Sequence, residues 1–199
     1  MIAASLCLIK SQGSFHTMPR LPYPEDLSMF APGGDKLLSN LAPLNVFKML
    51  AHAPHMLKPF VSMGTAFLIK GKMDPVTREC VVLRVGYLSG ALYETTQHEA
   101  IGLAVGMTPA LIEAVKEGPD AKGLTEEQRI ALSFTDHLVA HPHPSDAQVE
   151  AAKGHFGLAG LEELVLLIGY YMMVCRFLET FGVDIEEGGP KGTAIVDRA

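Results

Sequence analysis

Glu79, Glu94 and His98 are the residues whose types and spacing point most directly to chemistry in this chain of 199 residues. Glu94 and His98 are four apart, so on a helix they share one face, a turn from each other. Glu79 enters an otherwise apolar run, C-V-V-L following it, where a carboxylate is costly unless it is paired. An imidazole, with an unperturbed pKa near ~6.5, can shuttle a proton at neutral pH when a carboxylate orients it. Tyr93 and Gln97 are also four apart and line the adjacent strip of the same helix, placed to donate hydrogen bonds to a bound molecule.

Two helices must position these groups, and the chain breaks between them at Ser89-Gly90. Apolar residues recur at helical spacing on both sides, and the glycine falls where a helix would end. Packed antiparallel across so short a turn, the pair brings Glu79 to the Glu94/His98 face. Asp74-Pro75 supplies an N-cap and a proline at the first helical position, which gives the Glu79 helix a firm start. Arg84 lies five residues beyond Glu79, roughly 140° around the helix at ~100° per residue, and so points elsewhere. An ion pair, within the chain or between subunits, suits it better than a clamp on a substrate carboxylate.

The stretch Arg78 to Gly106 resembles the core of the carboxymuconolactone decarboxylase and alkylhydroperoxidase D-like superfamily. Redox members of that superfamily show a glutamate followed by C-x-x-C-x-x-x-H. Counting back from His98, the two cysteine positions fall on Ala91 and Glu94, while the family's glutamate matches Glu79 and its histidine matches His98. Tyr93 to His98, Y-E-T-T-Q-H, is similar to the non-redox branch, where the decarboxylases sit. The resemblance implies trimers or hexamers and cofactor-free decarboxylation of a small carboxylated lactone or another aromatic-degradation intermediate. In that chemistry His98 is the general acid/base, Glu79 or Glu94 fixes its tautomer, and Tyr93 and Gln97 bind the substrate.

Without the two thiols, peroxide reduction by thiolate attack and resolution is closed to this chain. Proton transfer remains, and no residue pattern calls for a metal or an organic cofactor. The same acid/base pair also suits lactone hydrolysis or isomerisation. Two readings without catalysis stand beside these: a helical oligomer that only binds a small ligand, and a satisfied polar network that only specifies helix packing.

A net charge of −6, with no basic stripe, argues against nucleic acid. The longest uninterrupted apolar run, Leu164 to Cys175, is shorter than the ~20 residues of a membrane span and reads as a core helix. Hydrophobic residues make up 48%, a surplus that predicts homo-oligomerisation through buried helix faces. Cys7, Cys80 and Cys175 form no C-x-x-C and no zinc spacing, which favours a reducing, cytoplasmic setting.

Residues 1–17 lack the basic start of a secretory signal and read as an extended beginning ahead of Met18. The prolines and Gly33-Gly34 that follow make residues 1–35 an extension and arm, partly disordered. Residues 36–185 form the helical domain, and 186–199 a polar tail without helical signal. Thr125-Glu-Glu-Gln128 and Ser145-Asp-Ala-Gln148 are capping boxes that fix helix starts near Glu126 and Asp146. The final helix, Leu161 to Phe181, is apolar nearly all round and stops at Gly182; one of Tyr170 and Tyr171 is expected to face the pocket. His137 and His141 share a face, but no third ligand joins them within a turn, so no metal is expected there. With no alternating strand pattern anywhere, the fold predicted is all-α, one domain of seven or eight helices.

Overall fold

The computed structural model describes residues 19–24 and 44–196, and the regular structure among these is all helical, with no strand. Helix α1 is Asn45–Leu50, and α2, Pro54–Thr65, runs into a π-helical turn at Ala66–Lys70. Then come α3 (Pro75–Ser89), α4 (Leu92–Ala104), α5 (Pro109–Glu117), α6 (Glu126–Ala140), α7 (Asp146–Phe181) and the short α8 (Thr193–Val196). Cys7, Met18 and most of the proline-rich arm lie outside the described residues.

Helix α3 is the axis of the molecule, packing against α4, α5, α6 and α7. Every residue from Thr77 to Gly86 is buried, which removes any polar face and explains why amphipathic periodicity is weak there. One side of α3 carries Val81, Val82 and Val85 into the core shared with α6 and α7, and the other carries Cys80 and Leu83 against Ile112, Val115 and Leu132. The start is built as its sequence predicts, Asp74 accepting from the Thr77 amide at 2.9 Å with Pro75 next. Gly90 ends the helix in the left-handed region, φ 65°, where a side chain would be strained. Gly86 matters for a different reason. A β-carbon there would sit 2.8 Å from Thr95 Cγ2, so its absence lets α4 lie close along α3.

Both predicted capping boxes are present, at Thr125 and Ser145. The span α7 is two helices that meet at a kink at Gly157, whose φ of 71° and ψ of 179° are not helical, in keeping with the separate starts read near Asp146 and Leu161. Its second part differs from expectation in not being buried on every side: Leu164, Leu167, Ile168 and Leu178 pack inward, while Val165, Leu166 and Met173, like Leu158 beside the kink, stay exposed. Its length and hydropathy would also suit a membrane, but here its inner face forms the core with α3 and α6.

The tail also departs from its sequence reading. Glu186 is 5% exposed, and residues 191–192 lie against α4 ahead of α8, so this segment belongs to the helical body. At the other end Arg20 donates its amide to the Phe181 carbonyl at 2.8 Å, and Tyr23 hydrogen-bonds the Asp184 carboxylate.

Candidate active site

Glu79, Glu94 and His98 converge between α3 and α4. Glu79 Oε2 lies 2.6 Å from His98 Nδ1, and Glu94 Oε1 lies 3.2 Å from His98 Nε2. Glu79 is wholly buried, and its second oxygen accepts from Arg78 Nε at 3.0 Å. Arg78 in turn donates Nη1 to the Leu68 carbonyl of the π-helical turn, at 3.1 Å. The four groups form one line of alternating charge: guanidinium, carboxylate, imidazole, carboxylate.

Burial by itself pushes an imidazole toward its neutral form, but the charges of Glu79 and Glu94 outweigh that and raise His98 to about 10. At neutral pH His98 is therefore an imidazolium donating from both nitrogens. A protonated ring suits the acid half of the acid/base role expected of His98.

The linkage has a definite sign. A group whose pKa is raised on folding stabilises the fold fully below its unfolded value, near ~6.5, and that contribution is lost as pH rises through the folded value. Stability should therefore fall steadily as pH rises above neutrality toward the folded value. Cys80, which burial pushes up to about 12, adds loss of the same sign only above the ordinary thiol range of ~8.5. Urea unfolding at pH 7, 8 and 9 measures the His98 contribution, and a flat profile would contradict it.

An apolar cavity of about 90 Å³ opens beside Glu94 and His98, walled by Phe47, Phe60, Leu68, Ile101, Tyr170 and Tyr171. Both tyrosines predicted as alternatives line it. The Tyr171 ring meets His98 edge-on at 5.1 Å between centroids, and burial keeps its hydroxyl protonated. Tyr170 donates to the Phe60 carbonyl at 3.0 Å.

Tyr93 and Gln97 also line the cavity, but their donors are turned away from it. Tyr93 donates to Glu186 Oε1 at 2.6 Å and Gln97 Nε2 to Glu186 Oε2. The Asn45 amide joins them on Glu186 at 2.7 Å, while Gln97 Oε1 accepts from the Lys191 and Gly192 amides at 2.9 and 2.7 Å. The two residues thus clamp the tail rather than offer donors to a substrate. Glu186 escaped sequence reasoning because E-E-G-G-P has no periodicity, and an acidic pair beside glycines reads as solvated. Arg78 was legible only as a second charge inside an apolar helix. Adjacent residues do not share a helical face, so its pairing with Glu79 carries no spacing signal.

Arg84 points away, as its angle requires. It makes a two-pronged ion pair with Asp136 at 2.6 and 2.7 Å and caps the end of α5 through the Lys116 carbonyl at 2.8 Å. His137 Nε2 lies 2.8 Å from the His143 carbonyl, and among the described residues no cluster of three ligands could hold a metal.

Against known proteins, residues 54–134 match the model of the carboxymuconolactone decarboxylase family, a segment that holds Glu79, Glu94 and His98. Over that segment the chain is similar to this family, and its fold is the alkylhydroperoxidase D-like one. That fold recurs among solved structures. An uncharacterized peroxidase-related protein with an alkylhydroperoxidase core, from Ralstonia eutropha JMP134, superposes with a TM-score of 0.74 at 21% identity, covering 87% of this chain and 95% of that one. A peroxidase-related protein from Silicibacter sp. TM1040 gives 0.72 at 19% identity, covering 90% and 97%. The debrominase Bmp8, in complex with 2,3,4-tribromopyrrole, gives 0.65 at 15% identity, covering 86% and 89%. At such identities the likeness is one of fold. Among curated proteins no sequence matches significantly. Ala91 and Glu94, the two positions that the resemblance sets against thiols, are both buried.

Proposed function

We propose that this chain is a cofactor-independent acid/base enzyme, free of redox thiols, moving protons on a small cyclic substrate in the cavity beside His98. The observation that carries the reading is an imidazolium bonded through both nitrogens to carboxylates at the wall of an apolar pocket. Such a site is dry enough for its charges to act strongly and is already organised before substrate arrives. For a carboxylated lactone, the electron pair of the breaking carbon–carbon bond passes into a conjugated carbonyl and carbon dioxide leaves. The proton stored on His98 then reaches the carbon by way of Glu94. Arg78 holds Glu79 in place, and Glu79 fixes the ring.

A second reading, isomerisation of an uncharged lactone by the same groups, is favoured by the absence of lysine and arginine from the described residues that line the cavity. There Glu94 takes a proton from carbon, the C–H electrons move into the carbonyl, and the proton returns at another position. Incubation with carboxylated lactones and their uncharged parents in deuterated buffer tests both, read by carbon dioxide release and deuterium incorporation. Neither signal at stoichiometric protein would sink the proposal. We also propose that the exposed stripe of Leu158, Val165, Leu166 and Met173 is covered in a homo-oligomer.

A further inference from the structure

We infer that the cavity selects an uncharged ring that presents one hydrogen-bond donor or acidic C–H to Glu94, and excludes carboxylate anions. The inference rests on the second reading above, proton transfer on an uncharged lactone, and specifies its substrate class. It comes from an inventory of charge. Among the described residues lining the cavity, Glu94 and His98 are the only acid and the only base apart from the tyrosine hydroxyls. Both nitrogens of His98 are engaged, by Glu79 and by Glu94.

The one neighbouring guanidinium, Arg78, does not line the cavity, and two of its nitrogens are spent on Glu79 and the Leu68 carbonyl. The line of four groups sums to zero, two carboxylates against an imidazolium and a guanidinium. Among the described residues no surplus positive charge remains for an incoming anion. Glu94 is the one carboxylate among the described residues lining the cavity, and it repels a second anion and welcomes a donor. Burying a carboxylate without a partner is costly, whereas the walls of Phe47, Phe60, Ile101 and Tyr171 favour an apolar body. At about 90 Å³ the space is smaller than the ~150 Å³ cavity known to take benzene, which limits the ligand to a single small ring. An uncharged ring has no carboxylate to lose, so the inference moves the chemistry from decarboxylation toward proton transfer at carbon.

Three single-ring probes, rising slightly in size, separate the possibilities: phenol, uncharged with a donor; anisole, uncharged with the donor capped; and benzoate, an anion. Binding to the full-length wild type at pH 7 is followed by ligand-observed NMR titration. Phenol should bind at least tenfold tighter than either of the others. In Glu94→Gln the preference of phenol over benzoate should shrink at least tenfold, because the repulsion is gone. Benzoate binding as tightly as phenol, or no measurable binding of any probe, overturns the inference. The wild-type comparison decides even if the variant does not fold. Binding is read without turnover, so a protein that binds phenol selectively yet exchanges no protons fails as an enzyme while the ligand class stands.

Discussion

Glu79→Ala will destabilise the fold by about 3–5 kcal/mol, the range for removing one partner of a buried ion pair. The cost arises from what is left behind. Arg78, 5% exposed, and His98, 6% exposed, would face each other as buried cations with their shared counter-ion gone. The carboxylate also bridges α3 and α4, so its loss loosens the packing that Gly86 makes close. Glu150→Ala provides the contrast. Its partner Lys153 is 2.9 Å away, but both side chains are exposed, and such pairs contribute about 0.3–0.5 kcal/mol. Urea denaturation of the two variants measures both, and a loss below about 1 kcal/mol for Glu79→Ala would contradict the reading of the network as a coupled unit.

His98→Gln will lower turnover by about 10²–10⁴, the contribution usual for a positioned proton donor. Glutamine roughly fills the space and keeps one donor, but it cannot store a proton between Glu79 and Glu94. Rate constants for deuterium incorporation or carbon dioxide release, measured where the variant is still folded by circular dichroism, test this. Turnover within tenfold of the wild type would assign the histidine to packing.

How much of this could be read from the sequence depends on whether each contact leaves a periodic trace. The break at Gly90, the N-cap at Asp74 and both capping boxes are local chemistry, and local chemistry is written in adjacent residues. Glu94 and His98 were legible because four-residue spacing is a helix face. Their meeting with Glu79 followed from a short turn between antiparallel helices. Glu186 had no such trace. Its three partners come from Asn45, Tyr93 and Gln97, across 89 or more residues of chain, and nothing near it in sequence announces burial. The direction of Tyr93 and Gln97 was hidden for the same reason, since their acceptor is the tail. The two helices on either side of Gly157 were legible too, since the capping box at Ser145 marks one start and the glycine, outside the helical region, divides them.

Protonation of His98 is the most exposed part of the account, since both the mechanism and the alkaline loss of stability depend on it. Nitrogen-15 NMR of the ring, titrated from pH 6 to 11 on the folded protein, measures it directly. Both nitrogens should carry protons at pH 8, with a midpoint near 10. A midpoint near the ordinary ~6.5, or a neutral ring at pH 8, would contradict the proton store on which the proposed chemistry is built.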